Sequence, residues 1–187
     1  MSADRPRVLV TAASKHGATT ELAEHLARSL QESAGGRRCG LVAVSVPIER
    51  RPDPAEYDAV VLVSAVYVGR WLEPARRYAT DHLTALRTRP VWLLSSGPIG
   101  EPPFPADEPH DVGAISALLG PRAHRVVPGR LDKQLLGFGE RAMVTAMRAP
   151  VGDFRDWDGL RAWGEDIAEE LATLALGASQ APVASPS

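Results

Sequence analysis

The segment Thr11-Ala12-Ala13-Ser14-Lys15-His16-Gly17-Ala18-Thr19-Thr20 holds the residues best suited to chemistry. It carries hydroxyls at Ser14, Thr19 and Thr20, and Gly17 lets a ligand approach the backbone closely. Where a helix begins, its first N–H groups have no partner inside the helix and attract an anion. Together these features suit a phosphate monoester dianion. His16 offers one donor when neutral and an added positive charge when protonated. The plainer alternative is a strand-to-helix turn capped by Ser or Thr. Neither standard nucleotide turn is present: no Gly-Lys-Ser/Thr ends the segment, and there is no Gly-x-Gly-x-x-Gly.

Two further stretches are rich in small residues that let backbone amides reach a flat ligand. They are Ser64-Ala65-Val66-Tyr67-Val68-Gly69-Arg70-Trp71 and Ser95-Ser96-Gly97-Pro98-Ile99-Gly100. Tyr67 or Trp71 could stack on a ring, with core packing the alternative for Trp71. Other chemistries fall away. Ser95-Ser96-Gly97 lacks the Gly-x-Ser-x-Gly elbow of a serine hydrolase. The histidines have no helical or short-loop metal spacing, and Cys39 stands alone, which excludes a disulfide framework or a multi-cysteine metal site.

These stretches must be held by regular elements. Arg7–Ala12, 40–46, Ala59–Val63, Val91–Leu94 and Ala123–Val127 read as strands. Ala59-Val60-Val61-Leu62-Val63 is unbroken aliphatic, as a strand covered on both faces should be. Leu22, Leu26 and Leu30 recur at helical spacing after the first strand, and Gly35-Gly36 is expected to stop that helix. Leu72, Ala75, Ala79, Leu83 and Leu86 predict a second helix, and 111–119 a short third. In the last helix, Trp157, Leu160, Trp163, Ile167, Leu171 and Leu174 form one stripe, with Asp156 as N-cap and Gly177 as stop.

Strand–helix alternation with apolar strands predicts an α/β three-layer sandwich: a five-stranded parallel sheet, order 2-1-3-4-5, with helices on both faces. An insertion, 128–155, precedes the last helix and holds a candidate helix over 133–147. The domain is expected to span 1–177, followed by a disordered tail, 178–187. In such sheets ligands bind beyond the carboxyl ends of the strands, between the first and third, where all three stretches end.

The chain has 187 residues, 44% hydrophobic and 24% charged, as a soluble domain should. Its 21 Lys and Arg balance 23 Asp and Glu, which argues against a nucleic-acid binder reliant on one positive field. No apolar run reaches the roughly 18 residues that cross a bilayer, and the N-terminus lacks a secretory pattern, so a cytoplasmic location with at most peripheral membrane contact is expected. A phosphorelay receiver shares this strand order. It needs an acidic cluster after the first strand and an Asp ending the third, where this chain has Ala12-Ala13 and Ser64-Ala65.

The motif Ser14-Lys15-His16-Gly17-Ala18-Thr19 resembles the flavodoxin phosphate loop, Thr/Ser-x-Thr-Gly-x-Thr, matching at Ser14, Gly17 and Thr19. His16 replaces a Thr, and Ala18 stands where Asn is frequent. The resemblance is closer to the menaquinone-dependent protoporphyrinogen oxidases and their flavodoxin-domain relatives, where a polar residue other than Thr before the Gly is normal. Tyr57-Asp58, Ser64-Ala65-Val66, Gly69-Arg70, the insertion and Asp156-Trp157-Asp158 follow in that branch's order.

The resemblance implies a flavodoxin-like fold with one non-covalent FMN. Its phosphate would lie on Ser14, Lys15, His16, Gly17, Ala18, Thr19 and Thr20. Its ring would lie between Ser64, Ala65, Val66, Tyr67, Val68 and Gly69 on one side and Ser95, Ser96, Gly97 and Gly100 on the other. The activity it implies is that of an FMN-dependent oxidoreductase passing electrons from a reduced substrate to a quinone-type acceptor, as in heme biosynthesis. Leu136, Met143 and Met147 in the insertion then form a flap that admits an apolar quinone or porphyrin, or alternatively a helix packed on the sheet edge. The other function considered is an electron carrier serving protein redox partners. Such carriers tend to be strongly acidic, and a net charge of −2 is not. A homodimer would be compatible with either.

Overall fold

The computed structural model describes residues 5–97, 99, 109 and 111–179. Its sheet is built from β1 (Arg7–Ala13), β2 (Val42–Pro47), β3 (Ala59–Tyr67), β5 (Val91–Ser96) and β6 (Ala123–Val127), after β4 (Arg70–Trp71) is set aside as an antiparallel addition to β3. The parallel order is β2-β1-β3-β5-β6, which is the expected 2-1-3-4-5 once β4 is left out of the count.

Alternation along the strands splits the core in two, because successive side chains of a strand face opposite sides. Val8, Val10, Val61, Val63, Trp92 and Leu94 face one layer. There they meet Leu22, Leu26 and Leu30 of α1 (Ala18–Glu32) and Leu160, Trp163, Ile167 and Leu171 of α7 (Trp157–Ser179). Leu9, Val60, Leu62 and Leu93 face the other. There they meet α3 (Glu73–Asp81), α4 (Leu83–Arg87) and α5 (Val112–Leu119) through Tyr78, Ala79, Leu86, Ile115 and Leu119. Each fully buried Leu or Val contributes about 1.5–3 kcal/mol. Removal of any one of them is therefore felt, and the sheet between the layers is a rigid base.

Three expectations are corrected. Gly35-Gly36 does not stop the first helix; the pair lies inside a short helix, α2 (Ala34–Cys39). Ser33 divides the two helices, and its hydroxyl accepts from Gly36 N at 2.9 Å as an N-cap. The pair serves packing instead: a Cβ on Gly35 would stand 2.9 Å from the Ala168 carbonyl carbon of α7. Gly177 does not end the last helix, which continues to Ser179. The expected domain limit at 177 thus falls inside α7, and 180–187 lie outside the described residues. The expected second helix breaks at His82 into α3 and α4.

Among the described residues no helix is long and apolar enough to cross a membrane.

Candidate functional site

The strand register brings the three stretches together. Ala13 lies opposite Ser64 across β1 and β3, and Ala65 lies opposite Ser96 across β3 and β5. The carboxyl ends of these strands therefore finish level, at the point where the chain leaves β1 to either side. A cavity of about 390 Å³ opens there, within the usual range for a small-molecule site, roughly 300–1,000 Å³.

Most of the residues expected from sequence line it: Ser14, Lys15, His16, Ala18, Thr19, Ala65, Val66, Tyr67, Val68, Gly69, Ser96 and Gly97. Gly17 shapes the loop rather than the wall. Its φ of +83° suits glycine, and its N–H donates to Ser14 Oγ at 3.1 Å. Thr20, the third residue of α1, is half-buried and off the wall.

Ser64 and Ser95 are also off the wall; they are buried and hold neighbouring elements. Ser64 Oγ accepts from Leu72 N at 3.0 Å and donates to Ala65 O. Ser95 Oγ accepts from Trp71 Nε1 at 2.7 Å and lies 2.8 Å from His124 Nε2. Trp71 is 2% exposed, so core packing, not stacking, is its role. Gly100 lies outside the described residues.

The stretch after β3 is more regular than expected. Strand β3 runs on to Tyr67, and a two-residue turn at Val68-Gly69 returns the chain along β4. Both turn residues have positive φ, 50° and 70°, the pattern of a type I′ hairpin turn. This conformation suits Gly69 and strains the β-branched Val68, at a cost of about 1–3 kcal/mol. Val68→Asn should therefore raise stability by about 1 kcal/mol. In a chain of this size that is a Tm increase of roughly 2–4 °C, readable by thermal unfolding. An unchanged or lower Tm would contradict the strain.

The insertion closes the other side. It contains β7 (Arg130–Leu131) paired with β8 (Gly152–Asp153), and α6 (Phe138–Ala146). The helix is shorter than the expected 133–147. Asp132 and Gly137 explain its late start: Asp132 Oδ1 accepts from Gln134 N in a side-chain turn, and Gly137 is the N-cap. Leu131, Leu136, Met143, Val144 and Met147 form an apolar wall of the cavity. The insertion thus lines the cavity with apolar side chains.

Sequence reasoning missed the charges that this segment brings. Glu140 of α6 reaches the loop after β1. Its Oε1 lies 2.5 Å from Lys15 Nζ and 3.3 Å from His16 Nε2, and it accepts from Tyr67 Oη at 2.5 Å. Its Oε2 accepts from Gly137 N at 2.8 Å. The Lys15 ammonium above all, then the Tyr67 hydroxyl, hold the Glu140 carboxyl far below its ordinary value. Burial, then hydrogen bonding to Glu140, pushes the Tyr67 phenol up. Lys15 also lies over the Tyr67 ring, 4.2 Å from its centroid.

Arg130 lines the same cavity, and its Nη1 lies 3.2 Å from the Glu21 carboxylate. Arg155, with a side chain 4% exposed, also donates to Glu21, at 2.6 Å, and to Asp153. It stacks on Trp157 and reaches the Ala18 carbonyl at 3.3 Å. This buried guanidinium ties the end of the insertion to the first turn of α1.

Because Glu140's value is depressed on folding, its contribution to stability is complete above its ordinary value of 4.5 and lost as the pH falls below that. Wild type should therefore lose more Tm than Glu140→Gln on acidification below pH 4.5. Parallel acid limbs in the two proteins would show that the contacts of Glu140 do not stabilise the fold.

The cavity thus has two kinds of lining. Hydroxyls of Ser14 and Thr19, Lys15, His16 and Arg130 give it polar lining beside the start of α1, and the insertion's side chains and the backbone at Gly97 give it apolar lining. That donor set fits a molecule with a phosphate at one end and a flat, largely apolar body. The flavodoxin-domain family model matches residues 9–158. No curated protein sequence matches the chain. Among solved structures, a flavodoxin from the domain Archaea is 12% identical, covers 88% of this chain and 98% of its own, and superposes with a TM-score of 0.60. A two-electron reduced flavodoxin from Megasphaera elsdenii is 16% identical over 87% of this chain and 98% of its own, with a TM-score of 0.55. Rubredoxin oxygen:oxidoreductase from Desulfovibrio gigas is 12% identical over 92% of this chain, which spans only 38% of that protein, with a TM-score of 0.57.

Proposed function

The chain belongs to the flavodoxin-domain family, and from that premise we propose that it is an FMN-dependent oxidoreductase with an apolar redox substrate. The family implies FMN, and the mixed polar and apolar lining of the cavity suits it. Ser14, Ala18 and Thr19, with Lys15 and His16, would hold the phosphate in the loop that Gly17 shapes. Ala65 to Gly69 and Ser96-Gly97 would flank the ring. FMN, when bound, supplies reversible acceptance of two electrons between a reduced substrate and an acceptor.

The protein's own contribution is position and exclusion of water. The first turn of α1 directs N–H groups at an anion in a fixed frame. Tyr67, its phenol pushed up, keeps its proton on Oη and serves as a donor, not a base. The apolar flap residues, when closed, dry the space beside the ring site, which strengthens every polar contact made inside it.

One observation carries the substrate class: Leu131, Leu136, Met143, Val144 and Met147 of the insertion wall the cavity. A domain that only exchanged electrons with proteins would have no need of such a wall over its ring site. A quinone or porphyrin fits this surface, as in the menaquinone-dependent protoporphyrinogen oxidases that the sequence resembles. In that reaction each quinone takes two electrons and two protons from the reduced porphyrin and leaves as quinol.

The FMN-loaded protein should oxidise protoporphyrinogen with menadione as acceptor, and Met143→Glu should suppress that turnover with FMN retained. If no quinone accepts electrons while a protein acceptor does, the function is electron carriage between proteins. The exposed Val68 and Phe138, 73% and 93% accessible, would suit docking in that case.

A further inference from the structure

Glu140 places a negative charge of this chain on the loop that would hold the phosphate. It comes from α6, 124 residues away in sequence from His16. Three donors converge on its Oε1: Lys15, His16 and Tyr67. Two of these are side chains of the phosphate loop itself. The carboxylate cannot simply swing aside within the helix, because Oε2 is held by Gly137 N at the helix start. A phosphate entering the loop would need the donors that Glu140 occupies, and would bring like charge against it.

We infer that Glu140 is a built-in competitor for the phosphate, so that a phosphorylated flavin binds by displacing the Glu140 carboxylate from Lys15 and His16 and thereby releases the flap. This inference rests on the FMN reading. It gives the insertion a further role: the flap that walls the substrate space is latched to the cofactor loop, and the cofactor's phosphate is what unlatches it. Riboflavin, which has the same ring and no phosphate, does not contest the latch.

The test compares FMN and riboflavin affinities, by flavin fluorescence, in wild type, Glu140→Gln and Tyr67→Phe at one ionic strength. Glu140→Gln should tighten FMN by tenfold or more and leave riboflavin unchanged. Tyr67→Phe removes one of the three donors holding the carboxylate and keeps the ring, so it should move FMN in the same direction by less. It also serves if Glu140→Gln folds poorly. Limited proteolysis gives a second readout: FMN should increase cleavage within 133–147 in wild type, and riboflavin should not. Equal FMN affinity in wild type and both variants, or weaker FMN in Glu140→Gln, overturns the inference and leaves the cofactor reading standing. Failure of all three to bind FMN overturns both.

Discussion

Ala18→Asp is expected to abolish FMN retention and to leave the fold at least as stable as before. Ala18 is the first residue of α1 and lies on the cavity wall. A carboxylate in the first turn of a helix complements the helix dipole and is worth about 0.3–1 kcal/mol. The same carboxylate faces the phosphate that the turn would hold. Two unit charges 4 Å apart repel by about 4 kcal/mol at an effective dielectric of 20. Against a dianion, a loss of a hundredfold or more in affinity follows, at about 1.4 kcal/mol per tenfold. Ala18→Asn, equal in size and uncharged, should retain most of the binding. Fluorescence titration with FMN and a thermal melt of each variant separate the two effects. Unchanged FMN affinity in Ala18→Asp would remove the first turn of α1 from the site.

Gly97→Ala should damage stability and binding together. A Cβ at this position would stand 2.4 Å from Val66 Cβ and 2.9 Å from its Cγ2, closer than packed carbons approach. Both residues lie at strand ends and on the cavity wall, so relief requires one strand end to move away from the other. Overpacking of this kind costs about 1–3 kcal/mol. In a chain of this size each kcal/mol lowers Tm by roughly 2–4 °C. Displacement of the cavity wall should also weaken FMN by about tenfold or more. Val66→Gly in the same chain removes the atoms that clash, so the double variant should lose less than the sum of the single losses. Additive losses would show that the two positions do not press on one another.

Much of this architecture was legible in the sequence because the strands are buried on both faces. Val8-Leu9-Val10 and Val60-Val61-Leu62-Val63 can only be read as central strands, and their ends name the loops that line the cavity. The turn from β1 into α1 was legible because hydroxyls, a glycine and a helix start are local features. What the sequence concealed depends on contacts far apart in the chain. Gly35-Gly36 looks like a helix stop until α7 is seen packed on its backbone. Ser64 and Ser95 look like ligand donors until Leu72 and Trp71 are seen to claim them. Glu140 looks like an ordinary surface residue near the start of a helix, and no local pattern pairs it with Lys15 and His16. Arg130 and Arg155 were hidden for the same reason: both act on Glu21 across more than a hundred residues.

The loop after β1 is expected to hold the phosphate of one FMN. The visible absorption spectrum of the purified protein, taken after incubation with FMN and desalting, tests it most directly. The protein is expected to stay yellow with one FMN per chain, while riboflavin carried through the same steps is retained less. A colourless protein after FMN loading, or equal retention of FMN and riboflavin, would contradict it.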